Sequence, residues 1–60
     1  MKIKDLYNVF CMATSVKVYK AENEITLPNT TLYDLMQHNK NREIDIDYLS
    51  IDNNVLIITI

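Results

Sequence analysis

The stretch Tyr48-Leu49-Ser50-Ile51-Asp52-Asn53-Asn54-Val55-Leu56-Ile57-Ile58-Thr59-Ile60 decides how this chain folds. Asn53 and Asn54 suit a two-residue type I′ turn, which needs positive φ at both central positions, a region that Asn tolerates better than most residues with a side chain. A turn placed there fixes the register on both sides: Asp52 faces Val55, Ile51 faces Leu56, Ser50 faces Ile57, Leu49 faces Ile58 and Tyr48 faces Thr59. Side chains alternate across a strand. One face of the hairpin therefore collects Leu49, Ile51, Leu56 and Ile58, an apolar set that amphipathic helices can cover. With the alternating run from Glu43 included, the hairpin is expected to occupy residues 43–60.

The other face of the same hairpin would be polar if it met only water, yet it carries Ile46, Tyr48, Val55 and Ile57, with Tyr19 in the matching phase of an earlier strand. A strand that is apolar on both sides normally lies between two covering layers, and the chain has helices for one. The second covering is then expected from another molecule, because contiguous exposed apolar patches mark interaction sites. Tyr19, Ile46, Tyr48, Val55 and Ile57 are the candidate partner-binding residues. The alternative is a β-bulge near Tyr48 that turns Ile44 and Ile46 back to the core and leaves a smaller exposed patch.

Working outward, the residues before the hairpin supply the covering layer. Ile3, Leu6, Tyr7, Val9, Phe10 and Ala13 recur at helical spacing, with Lys4, Asp5 and Asn8 opposite them, which predicts a helix from Ile3 to Ala13. From Ser15 the period becomes two, and Val16 and Val18 mark a half-buried strand. Glu22 and Asn23 read as the tip of a turn leading to a short strand through Ile25 and Leu27, with Val18 facing Leu27 and Pro28 ending the strand. Thr31-Leu32-Tyr33-Asp34 is a helix-capping signal ahead of Leu35 and Met36, and Asn39, Lys40 and Asn41 end that second helix. The expected fold is α+β: two helices packed on one face of a small, mainly antiparallel sheet in the order α-β-β-α-β-β. With no glycine in the chain, positive φ is expected at Asn or Asp.

Sixty residues make one small domain, 1–60, with a thin core, since a chain of this length hides only about 60% of the surface that its unfolded form exposes. Small domains make up the shortfall with disulfides, metal or association. Cys11 is the single cysteine, and Cys11 and His38 are too few for a structural zinc site, which leaves association. Self-association as a homo-oligomer is therefore expected. The lone thiol and the lack of a charged segment followed by an apolar one argue against secretion. The purely apolar runs, Val55 to Ile58 among them, fall far short of the roughly 20 residues of a membrane-spanning helix. The cytoplasm is the expected compartment, with no membrane partner. Six basic and eight acidic residues give a net charge of -2, which offers no basic footprint for nucleic acid.

Candidate chemistry is sparse. His38 falls at the expected C-terminal end of the second helix, where a partly charged imidazole suits the helix dipole and has no second ligand beside it. Cys11 lies on the flank of the first helix with no basic neighbour at helical spacing to activate it. Its sharper roles would be an intermolecular disulfide or a redox sensor. Glu43, Asp45 and Asp47 put three carboxylates along one side of a strand, a spacing that could bind a divalent cation, but such sites usually lie on loops with further oxygen donors, and a solvated strand end or an acidic rim for a basic partner suits the strand better. Without glycine there is neither a phosphate-cradling loop nor a nucleophile elbow. No enzyme, cofactor or metal is expected.

Ile, Asn and Lys supply 20 of the 60 residues, while Gly is absent, Pro and Arg occur once and Ala twice, as in the products of AT-rich genomes. The opening Ile3-Lys4-Asp5-Leu6, the strand Val16-Lys17-Val18-Tyr19 and the closing run from Leu49 to Ile60 resemble a group of small uncharacterised α+β proteins from low-GC bacteria and their phages. Asn54 departs from that pattern, in which glycine is commoner. The resemblance implies a helix, a strand or hairpin, a helix and a final hairpin, and it implies no activity. By analogy with short phage proteins, the expected function is that of a phage or mobile-element accessory protein. Such a protein acts stoichiometrically on a host protein, most specifically as an inhibitor of a host defence system. The competing expectations are a dimer that encloses a small ligand or nucleotide signal, and a structural accessory subunit.

Overall fold

Asn53 and Asn54 turn the chain at φ of 50° and 64°. In the computed structural model, which describes residues Met1 to Ile60, they join strands Tyr48–Asp52 and Val55–Thr59 in the register that the turn dictates, from Asp52 opposite Val55 to Tyr48 opposite Thr59. Two further strands, Ser15–Lys20 and Asn23–Glu24, precede them. Numbered in chain order as β1 (Ser15–Lys20), β2 (Asn23–Glu24), β3 (Tyr48–Asp52) and β4 (Val55–Thr59), they form one sheet in the spatial order β2-β1-β4-β3. The fold is a small α+β arrangement on a mixed sheet. Its two outer pairings are antiparallel, and the central one, β1 with β4, is parallel. A parallel neighbour requires a crossover, and the helical segments between β2 and β3 supply it.

The first helical segment is a 3₁₀ helix, Ile3–Asn8, shorter than the helix expected from Ile3 to Ala13. Three residues per turn align Ile3 with Leu6, and these two are buried while Tyr7 and Val9 face solvent. The segment after Asn8 has other hydrogen-bonding duties. Met12 and Thr14 carbonyls accept from the amides of Tyr33 and Leu32, both at 2.9 Å, which satisfies two donors at the start of the next helix. Cys11 consequently sits beyond the helix, exposed, rather than on its flank.

The hairpin after β1 also differs from expectation. Its turn is Ala21-Glu22, at φ of 51° and 69°, one residue earlier than Glu22-Asn23, and β2 is Asn23–Glu24 instead of a strand through Ile25 and Leu27. The early turn lets the following segment run back along the outer edge of β1. Ile25 N–H donates to the Val18 carbonyl at 2.8 Å, Thr26 Oγ1 accepts from Val18 N–H at 3.3 Å, and the Thr30 carbonyl accepts from Val16 N–H at 2.9 Å. Leu27 does not face Val18 and is 80% exposed.

Thr31 and Asp34 form the expected capping box, each side chain accepting the other's amide at 3.3 and 3.0 Å. The helix so begun, α1 (Leu32–Met36), is separated by Gln37 and His38 from a single turn, α2 (Asn39–Arg42). The expected second helix is thus two short pieces, and His38 precedes α2 in an extended conformation with an exposed side chain. Its anticipated place at the helix end is taken by others. Asn41 Nδ2 donates to the Leu35 carbonyl at 3.0 Å and Arg42 Nε to the Met36 carbonyl at 2.9 Å.

The core is wholly apolar: Ile3, Leu6, Val16, Val18, Leu32, Leu35, Met36, Leu56 and Ile58. The incoming strand of the last hairpin is shorter than residues 43–60 implied, because Asp47 N–H donates at 2.8 Å to the carbonyl of Thr59, the residue that Tyr48 already faces. Two residues against one is a β-bulge, and it resets the alternation. Ile44 and Ile46 pack against the core, and Asp45 bridges to Lys2. At the other end of the hairpin Ile51, expected in the core, is 63% exposed because the helical layer does not reach it.

Candidate interaction face of the sheet

Odd-numbered residues of β1 and β4 and even-numbered residues of β3 share the side of the sheet away from the core. The helical segments bury their apolar side chains with Val16, Val18, Leu56 and Ile58, and so lie entirely on the other side. The register then builds three rows. Glu24, Tyr19, Thr59 and Tyr48 cross all four strands; Lys17, Ile57 and Ser50 form the next row; Ser15, Val55 and Asp52 form the third. Of the five residues expected here, Tyr19, Tyr48, Val55 and Ile57 come together. Ile46 does not: the bulge at Asp47-Tyr48 sends it to the core side.

Tyr19, Val55 and Ile57 are half-buried, whereas Tyr48 is 65% exposed. A shallow, open trough of about 440 Å³ crosses this face, lined by Tyr19, Glu22, Ser50, Asp52, Ile57 and Thr59. Its apolar floor is rimmed by the carboxylates of Glu22 and Asp52, and the Tyr19 hydroxyl donates to Glu24 Oε1 at 3.4 Å. Ser50 and Thr59 were already on this face by the register of the final hairpin. The placement of Tyr19 and Lys17 beside Thr59 and Ile57 depends on the parallel pairing of β1 with β4, for which no local sequence signal exists.

The remaining polar candidates are engaged elsewhere or stand alone. Lys2 Nζ meets Asp45 Oδ1 at 3.1 Å and the Glu43 carbonyl at 3.1 Å, and Lys4 Nζ meets Glu43 Oε1 at 3.3 Å. The hydrogen bond that Lys2 donates to Asp45, followed by the charge of that carboxylate, holds the Lys2 ammonium above the ordinary lysine pKa. Glu43 and Asp45 thus tie the start of the chain to the segment entering β3. No three His, Cys, Asp or Glu side chains are grouped so as to hold a metal ion. A smaller groove of about 260 Å³ on the helical side is lined by Lys4, Tyr7, Met12, Met36 and Arg42. Both of its cations are already hydrogen-bonded, to Glu43 and to the Met36 carbonyl.

No protein-family model, curated protein or solved structure matches this chain. No helix is long and apolar enough to cross a membrane.

Proposed function

We propose that this protein works stoichiometrically, by binding another protein through the open face of its sheet. The observation that carries the reading is the patch of aromatic and aliphatic side chains on strands whose helices all lie on the opposite side: Tyr19, Tyr48, Val55 and Ile57. Aromatic anchors beside aliphatic ones, ringed by polar groups, make up the centre of many interfaces. The carboxylates of Glu22, Glu24 and Asp52 at the margin favour a partner with an apolar centre and a basic rim. In its most specific form the partner is a component of a host defence system, and the protein is a phage or mobile-element inhibitor of it. That form draws its support from the AT-rich composition and from the resemblance to small phage proteins.

The test is phage plaquing on cells that carry a panel of defence systems and express this protein. The expected result is restored plaquing against one system, with a one-to-one complex recovered from those cells. Tyr48→Ala and Ile57→Asp should abolish both effects while the purified variants keep their circular dichroism. Folded face variants that remain fully active would sink the reading. A small ultraviolet-absorbing molecule that co-purifies with the protein would favour a ligand-binding role for the same trough.

A further inference from the structure

The outer edge of β3 is bare. Asp47 N–H bonds to the Thr59 carbonyl and Ile60 N–H to the Tyr19 carbonyl, so odd-numbered residues of β4 turn their main chain toward β3 and even-numbered ones toward β1. In the β3–β4 register the odd residues face Tyr48, Ser50 and Asp52. In an antiparallel pair hydrogen-bonded and non-hydrogen-bonded residues alternate, which leaves the N–H and C=O groups of Leu49 and Ile51 pointing away from the sheet. No main-chain hydrogen bond from elsewhere in the chain reaches either residue. The opposite edge of the sheet is handled differently. There the segment from Ile25 to Thr31 lies along β1 and occupies its outward groups.

A bare edge is a template for another strand, and the sequence of this one matches itself. We propose that β3 pairs with β3 of a second copy of this chain, antiparallel and centred on Ser50, to give a two-fold symmetric dimer with one continuous eight-stranded sheet. Centring on Ser50 sets Leu49 opposite the partner's Ile51 as a hydrogen-bonded pair, so that the four outward groups of each strand are satisfied. All five residues of β3 are matched with no overhang. On the core side, the exposed Ile51 gains the half-buried Leu49 of the partner as a neighbour. On the open side Tyr48 meets the partner's Asp52, a phenol against a carboxylate, and Ser50 meets Ser50. No like charges oppose each other. Sliding the register by two residues, the smallest step that keeps the hydrogen bonds, either sets Ser50 against Asp52 and leaves Tyr48 opposite Asn54, or sets Ile51 against Asp47 at the bulge. An isologous pairing of this kind closes on itself, and the bulge at Asp47-Tyr48 and the tight turn at Asn53-Asn54 limit it to the five residues between them. The seam runs along the edge of the face proposed for host-protein binding and shares Tyr48, Ser50 and Asp52 with it, while Tyr19, Val55 and Ile57 lie outside the seam.

Sedimentation equilibrium on the protein up to about 1 mM, well above the weak dissociation constants typical of small interfaces, should give twice the 7.0 kDa chain mass. Ile51→Pro deletes an outward N–H on an edge strand, where proline is tolerated, and should yield the chain mass. Ile51→Lys, which places like charge beside the seam without touching the main chain, should weaken the dimer at least tenfold and decides the matter if the proline variant does not fold. Ile57→Asp, on the open face, should leave the dimer intact. For register, Ser50→Cys in a Cys11→Ser background should form an intermolecular disulfide readily, since central non-hydrogen-bonded residues sit about 4.5 Å apart at Cα. Asp52→Cys in the same background should not. A monomer at the highest concentration overturns the proposal, as does a dimer that survives both Ile51 variants or one dissociated by Ile57→Asp but not by Ile51→Lys.

Discussion

A chain without glycine must still place residues at positive φ, and here Asn29, Asn53 and Asn54 share that duty with Ala21 and Glu22. The three asparagines are unremarkable in that region, since their short polar side chains make local hydrogen bonds that offset the clash of Cβ with the main chain. Ala21 and Glu22 have no such compensation, and their turn is held by what lies on either side: the Tyr19–Glu24 and Lys20–Asn23 pairs, and Ile25 bonded to Val18. The cost of a left-handed residue is roughly 1–2 kcal/mol, and glycine at Glu22 would remove it while adding some backbone entropy to the unfolded chain. Glu22→Gly is therefore expected to raise the unfolding free energy by about 1 kcal/mol, the net of the two effects, seen as a higher urea midpoint with an unchanged slope. A lowered midpoint would mean that the Glu22 side chain contributes more than its backbone costs.

The elements show which sequence signals were decisive and which were overruled. Asn53-Asn54 carried its own conformational preference, so the final hairpin and every cross-strand partner in it were legible from residue types alone. The first hairpin was not, because Ala21-Glu22 lacks a local preference and its register is set by distant partners such as Thr30. The bulge at Asp47 has no composition of its own. What marks it is the conflict between a two-sided apolar strand and a single helical layer, which admits either a covering partner or a bulge near Tyr48; unbroken alternation puts Ile46 on the open face, and the bulge returns it to the core. The 3₁₀ helix is short for a related reason: past Asn8 the carbonyls of Met12 and Thr14 are taken by the start of α1, while the helix start is tied to the segment before β3 by Lys2 and Lys4, through Asp45 and Glu43. Pairing raises the Lys2 pKa in the folded state, so its contribution to stability is present below the ordinary lysine value and is lost as pH rises through the raised one. In urea unfolding, the stability difference between the unmodified protein and Lys2→Met should be seen at neutral pH and shrink as pH rises past the ordinary lysine value and through the raised one. A difference that persists undiminished would assign the role of Lys2 to its aliphatic stem instead of its charge.

At the scale of the whole molecule, nine buried apolar residues hold together a sheet that is covered on one side only. At roughly 0.05–0.15 kcal/mol per residue, a domain of this length has a total stability of about 3–9 kcal/mol. Loss of one large buried side chain is then comparable with the whole. Leu6 is fully enclosed between the 3₁₀ helix and the sheet, and Leu→Ala at such a position costs roughly 2–5 kcal/mol, because the cavity left behind collapses only in part. Leu27, the same residue type on the outer loop, gives up little buried surface, and its substitution should stay within about 0.5 kcal/mol. Leu6→Ala is accordingly expected to be partly unfolded at 37 °C by circular dichroism and to bind a dye specific for exposed apolar surface, whereas Leu27→Ala should melt with the unmodified protein. The comparison also tests where the core ends. If Leu27→Ala proved as damaging as Leu6→Ala, the loop from Ile25 to Thr31 would have to pack inward in solution, and β1 would lose the outer-edge cover that leaves β3 as the free edge of the sheet.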